Sequence, residues 1–170
     1  MSAPLKFWGT AHPPPRKDGG RDNIADLTRA EISTTDMGKN NTTVLREHDY
    51  GSRVGTVSAS WEAMDGSLHV AGTIHDPQAA ADVRSGKMRG LSLGTSVIQD
   101  AQGNALCRSQ DEISICEVPR RNNCWISRID GVPVQQVVTF SQKRAQSFFP
   151  FLPFFAHKHT HLPSSRYSPA

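Results

Sequence analysis

The sequence predicts a mostly β fold with peripheral helices, an antiparallel barrel or sandwich, and three observations predict it. Short runs with period-two alternation recur from residue 54 onward. Turn chemistry separates them, as in Asp65-Gly66 and Asp100-Ala101-Gln102-Gly103-Asn104. Before residue 130, helical patterns are confined to short stretches near residues 23–32 and 77–85.

Leu5 to Thr10 reads as a first strand. Pro13-Pro14-Pro15 and Gly19-Gly20 then break regular structure, predicting a mobile loop over about 12–23. Ile24, Leu27 and Ile32 among charged residues fit a short amphipathic helix, with Asp26 or Thr28 at its start. Thr42 to Leu45 is a strand leading to His48, and Val54 to Trp61 alternates as the next. Asp65-Gly66 turns the chain into Ser67 to Ile74, which places Leu68, Val70, Gly72 and Ile74 on one face. Pro77 to Ser85 is a helix: proline opens it, the alanine run Ala79-Ala80-Ala81 favours it, Asp82 and Arg84 are expected to be exposed, and Gly86 stops it. Gly90 to Ile98, Glu112 to Val118 and Cys124 to Ile129 complete the strands.

At 170 residues the chain has room for one domain. Residues 1–129 are expected to hold it, with 130–170 a loosely ordered extension. Lys and Arg number 19 against 16 acidic residues and form no dense block, so nucleic-acid binding is not expected. Cys107, Cys116 and Cys124 are an odd set without Cys-x-x-Cys spacing, and no signal-like segment opens the chain; both point to free thiols inside a cell. The apolar run from Phe148 to Phe155 is short and broken by Pro150 and Pro153, whereas a membrane-spanning helix needs about 20 apolar residues, so no membrane partner is expected. His157, His159 and His161 alternate but have no acidic residue or cysteine close by, and no metal or cofactor is expected.

The residues that can do chemistry lie between His48 and Arg121. Ser92 sits in Gly90-Leu91-Ser92-Leu93-Gly94, where alternation puts the leucines on one face and the hydroxyl on the other. The flanking glycines let another backbone or a substrate approach. A serine hydroxyl needs a base to take its proton and a third group to orient that base. His48 is a candidate base. Glu112 or its neighbour Asp111 is a candidate orienting carboxylate. Arg120 and Arg121 could offer a backbone N–H and a guanidinium, directly or through water, to a developing oxyanion. Each also has an ordinary reading as a strand serine, a surface histidine, a solvated acidic pair or surface arginines.

Taken together, these segments resemble the capsid maturation proteases of herpesviruses, the assemblins, and their more distant relatives, the prohead proteases of tailed phages. The resemblance covers about Thr42 to Ile126. It rests on Leu45-Arg46-Glu47-His48-Asp49 followed by Val54-Gly55-Thr56-Val57 and Asp65-Gly66-Ser67-Leu68, on Gly90-Leu91-Ser92-Leu93, and on Ile115-Cys116-Glu117-Val118-Pro119-Arg120-Arg121. Herpesvirus members have a second histidine where this chain has Glu112, and Glu112-Ile113-Ser114 with Pro119 is more similar to the phage branch.

The resemblance implies an antiparallel barrel of the assemblin type. It also implies a serine endopeptidase with Ser92 as nucleophile, His48 as base and Glu112 as orienter, supported by Arg120 and Arg121. Its substrates would be a capsid scaffold protein and its own precursor, cut after small residues, in a host nucleus or a viral procapsid. Herpesvirus members continue past the arginines into several helices, one forming a homodimer interface; here only Gln142 to Ser147 suggests a helix. A catalytically inactive module acting in assembly or binding is the alternative, and a small β-rich interaction domain a third.

Overall fold

The computed structural model describes residues 3–134. Its elements are β1 (Leu5–His12), α1 (Arg29–Thr34), β2 (Thr43–Arg46), β3 (Asp49–Glu62), β4 (Leu68–Ile74), α2 (Pro77–Ser85), β5 (Gly90–Gln99), β6 (Ala105–Cys116), β7 (Ile126–Ile129) and β8 (Val132–Pro133). They form one eight-stranded sheet in the order β5-β6-β2-β3-β4-β1-β7-β8. The mostly β architecture with peripheral helices is as the sequence predicts.

The expected barrel is a curled sheet that the named strands do not close. At one end of the sheet, β5 meets the start of β7 at a short seam, where Leu91 N–H donates to Cys124 O and Ile126 N–H to Arg89 O, each at 2.9 Å, around an isolated Gly90–Trp125 bridge. Pairing is antiparallel except between β2 and β6, whose parallel register sets Val44, Leu45 and Arg46 beside Ile113, Ser114 and Ile115. That pair brings the turn after β2 next to the middle of β6.

Local chemistry explains the helices. Thr28 caps α1 in a reciprocal capping box: its hydroxyl accepts from Glu31 N–H, and the Glu31 carboxylate accepts from Thr28 N–H. Asp76 caps α2 through Ala79 N–H, Pro77 opens it, and Gly86 ends it in the left-handed region at φ 88°. Asp82 departs from expectation. It is buried because it faces Arg46 of β2 and pairs with it, which ties α2 to the sheet.

One apolar cluster fills the curl, with Leu5 and Phe7 of β1, Val70 and Ile74 of β4, Leu91 of β5 and Ile113 and Ile115 of β6 all fully buried. Phe7 pairs with Gly72 in the ladder, and its ring occupies the space over that glycine: a Cβ there would lie 2.7 Å from Phe7 Cε1. Phe7→Ala is therefore expected to leave a cavity that the rigid sheet cannot collapse, lowering stability by about 3–5 kcal/mol. Urea unfolding would show the midpoint fall with little change in slope.

Two strands begin earlier than the alternation indicates. β6 starts at Ala105, seven residues before Glu112, because its outer half forms a ladder with the end of β5 while remaining largely exposed. β3 starts at Asp49, directly after His48, where its first residues are exposed. β8, two residues long, was not expected. The readings of 142–147, 148–155 and the three tail histidines lie outside the described residues. Among the described residues, no helix is long and apolar enough to cross a membrane.

Candidate active site

Strand periodicity assembles three of the site's residues on one face. Ser92 of β5 pairs with Ser114 of β6, and Gly94 with Glu112, so Ser92, Glu112 and Ser114 all project to the same side. His48 arrives from the other neighbour of β6. Arg46 and Asp49 pair across a two-residue connection, Glu47-His48, with φ of 48° and 60°. Positive φ at both central residues is the requirement of a type I′ hairpin, and for non-glycine residues it must be held by other contacts. Glu47 N–H donates to Ile115 O at 3.0 Å, His48 N–H to Ser114 Oγ at 2.9 Å, and the Glu47 carboxylate accepts from Glu117 N–H at 2.9 Å. All three contacts fasten the turn to β6 or the residue just after it.

The side chains meet as a connected chain of hydrogen bonds. His48 Nε2 lies 2.8 Å from Ser92 Oγ, and His48 Nδ1 lies 2.5 Å from Glu112 Oε1. With Nδ1–H donated to the carboxylate, Nε2 has a free lone pair for the serine proton. Glu112 is 2% exposed, and its second oxygen accepts from Ser114 Oγ–H at 2.8 Å. Asp111, the other carboxylate the sequence left open, instead accepts from Ser96 and Ser109 on the exposed hairpin.

Hydrogen bonding to Glu112 is the largest influence on His48 and raises its pKa above 6.5; partial burial opposes this, the charges of Glu112 and Glu47 add to it, and Arg120 counters them. Only the neutral ring can accept the serine proton. The acid limb of a kcat/KM profile is therefore expected to have its midpoint above 6.5, the ordinary histidine value. Stability runs the other way. A folded-state pKa raised above the unfolded one contributes stability that is fully present below the unfolded pKa and is lost as pH rises through the folded pKa. Activity should rise across the range in which this contribution declines, and a midpoint below 6.5 would count against the pairing.

Gly94 makes the carboxylate's position available. A Cβ at residue 94 would stand 2.1 Å from Glu112 Oε1 and 2.7 Å from its Cδ, so glycine is required for close approach. Gly94→Ala is expected to push Glu112 off His48 and lower kcat by roughly 10²-fold, the scale of an ångström-level misplacement. Wild-type kcat in that variant would show that the carboxylate has another way in.

The hydroxyl and imidazole open onto a cleft of about 240 Å³ bounded by Tyr50, Leu93, Thr95, Arg120 and Arg121 among others. Arg120 is exposed at its rim. Arg121 is largely buried, with Nε on Asp26 Oδ1 at 2.8 Å, Nη2 on Ala25 O at 2.9 Å and Nη1 3.5 Å from Leu93 O. The guanidinium thus joins the loop before α1 to the strand that carries Ser92.

Two contributors were missed in sequence. Ser114 lies two residues after Glu112 on a strand, and that spacing alone puts both on one face. His12 is 2% exposed: Nδ1–H donates to Pro13 O at 2.7 Å and Nε2 accepts from Leu27 N–H at 3.0 Å, tying down the loop that carries Asp26. Burial lowers the His12 pKa, and no sequence pattern announced this role. Cys116 and Cys124 are buried thiols pushed by burial to about 12 and about 11, which makes them poor nucleophiles. Among the described residues, no cluster of three or more His, Cys, Asp or Glu is placed to hold a metal ion.

No family model and no curated protein matches the sequence. Solved structures do. The protease of Kaposi's sarcoma-associated herpesvirus in complex with a hexapeptide phosphonate inhibitor is similar with a TM-score of 0.55 at 16% identity, over 81% of this chain and 69% of that one. Varicella-zoster virus protease is similar with a TM-score of 0.52 at 15% identity, over 85% and 75%. A Kaposi's sarcoma-associated herpesvirus protease bound to an allosteric inhibitor gives 0.50 at 15% identity, over 84% and 88%. From these likenesses, the fold of this chain is that of the herpesvirus proteases.

Proposed function

We propose that the chain is a serine endopeptidase of capsid maturation. The observation that carries the reading is the hydrogen-bonded series Ser92 Oγ, His48 Nε2, His48 Nδ1, Glu112 Oε1, with separations of 2.8 and 2.5 Å, opening onto a cleft. Ser92 Oγ attacks the scissile carbonyl while His48 Nε2 takes its proton, and Glu112 stabilises the imidazolium. The Arg120 backbone N–H, with Arg121 acting directly or through water, supports the oxyanion. His48 then returns the proton to the leaving amine, and water cleaves the acyl-enzyme by the same route.

The proposed substrates are a capsid scaffold protein and the chain's own precursor, cut after small residues. The proposed setting is a host nucleus or a viral procapsid, with a homodimer as the candidate assembly state and no cofactor, nucleic acid or membrane required. Incubation with a fluorophosphonate probe, followed by mass analysis of the modified peptide, tests the nucleophile. An adduct on Ser92, together with cleavage of a scaffold-type peptide containing an alanine, is the expected result. A folded sample that takes up no probe would instead favour an inactive assembly or binding module.

A further inference from the structure

Ser114 does more than fill the core. It is 0% exposed, so its hydroxyl must find partners within the protein. A serine hydroxyl has one hydrogen to donate and lone pairs to accept. The hydrogen goes to Glu112 Oε2 at 2.8 Å, and the oxygen accepts His48 N–H at 2.9 Å. Both partners need it. Glu112 Oε2 belongs to a side chain only 3% exposed, and His48 N–H lies in a left-handed turn residue.

Glu112 and Ser114 therefore grip His48 at two points, the carboxylate at imidazole Nδ1 and the hydroxyl at the main chain. One contact alone leaves the ring free to pivot about the other. Two contacts from adjacent same-face positions of one strand fix both the turn and the ring it carries. The hydroxyl also fixes the carboxylate's rotation, because an oxygen held by Ser114 directs its partner oxygen toward Nδ1.

We propose that Ser114 is a positioning residue of the candidate site, coupling the Glu112 carboxylate to the His48 backbone so that Nε2 is held toward Ser92. The assignment rests on the serine-hydrolase reading for its catalytic meaning. The His48 titration that tests it is read in the resting protein and needs no turnover.

The experiment follows the His48 imidazole by NMR against pH in the full chain, in wild type, Ser114→Ala and Ser114→Thr. The groups that bear on the ring are Glu112 of β6, Glu47 of its own turn and Arg120 from the segment after β6. Loss of the hydroxyl should slacken the Glu112 contact, the main cause of the raised pKa, so the alanine variant's midpoint is expected to fall toward the ordinary histidine value. Threonine, which restores a hydroxyl, should recover most of the difference. For the active protein, kcat in Ser114→Ala is expected to drop by about 10²-fold with KM little changed, as for a misplaced base. Should the alanine variant fail to melt cooperatively, Ser114→Cys retains the shape with a weaker donor and should give an intermediate midpoint.

An unchanged or higher His48 midpoint in a folded hydroxyl-free variant would overturn the assignment, whatever happened to activity. If wild type shows no probe labelling while the midpoint still falls in the alanine variant, the positioning role stands and the protease reading fails. If wild type is labelled while the midpoint stays put, the protease reading stands and the positioning role fails.

Discussion

Ser92→Ala is expected to lower kcat by roughly 10⁶-fold, the loss seen when a serine nucleophile is removed from a triad that acts as a unit. That corresponds to about 8 kcal/mol of transition-state stabilisation, because each tenfold is about 1.4 kcal/mol. The fold should hardly notice. Ser92 is 4% exposed on a strand whose ladder uses only backbone atoms, and the substitution removes one oxygen with one side-chain hydrogen bond. The stability change should be about 1 kcal/mol or less. Single-turnover cleavage and thermal melting on the same preparation separate the two quantities. Retention of more than a few per cent of wild-type cleavage would remove Ser92 from the mechanism.

Glu112→Gln is expected to be the next most damaging change, costing roughly 10⁴-fold in kcat, as carboxylate-to-amide substitution does in serine-protease triads. The amide has two ways to fit, and neither serves. With its NH₂ toward His48, Nδ1 must become the acceptor and the proton moves to Nε2, which can then no longer take the serine proton. With its oxygen toward His48, the NH₂ turns to Ser114 Oγ, which must then accept from both it and His48 N–H, and the Ser114 hydrogen loses the carboxylate it donates to. Either arrangement also removes the negative charge that stabilises the imidazolium. The His48 pKa should fall, because the Glu112 hydrogen bond is the chief cause of its elevation. Measuring kcat and the His48 titration together checks both consequences; full activity with a lowered midpoint would show that the carboxylate's charge is dispensable.

Much of the fold is legible in the residues alone. Strand alternation located β1, β4 and β5 closely, and proline, alanine and glycine signals set α2 from Pro77 to Ser85 with Gly86 as its cap. Periodicity failed where neither face is buried, which is why the exposed first halves of β3 and β6 were not foreseen. Asp82 was misread because a charged residue on a helix is ordinarily solvated, and its partner Arg46 lies 36 residues away in sequence. The site divides along the same line. Candidate groups are recognisable from residue type and local context. Their meeting depends on the turn after β2 reaching across to β6, which no local pattern encodes. Between Asp111 and Glu112 the ladder makes the difference: Glu112 pairs with Gly94, the residue two along from Ser92, and reaches His48, whereas Asp111 falls where the register shifts and accepts from Ser96 and Ser109.

The parallel pairing of β2 with β6 also makes the contacts of the candidate site distant along the chain. It joins His48 to Glu112, 64 positions further along the chain, and Ser92 lies 44 beyond His48. Contacts so distant along the chain close late, because loop-closure entropy opposes them until the rest of the sheet can reward them. While the ribosome is still making β6, the base has neither its carboxylate nor the hydroxyl that holds its turn. The hydrogen-bonded series Ser92, His48, Glu112 is therefore complete only once nearly the whole sheet has been made.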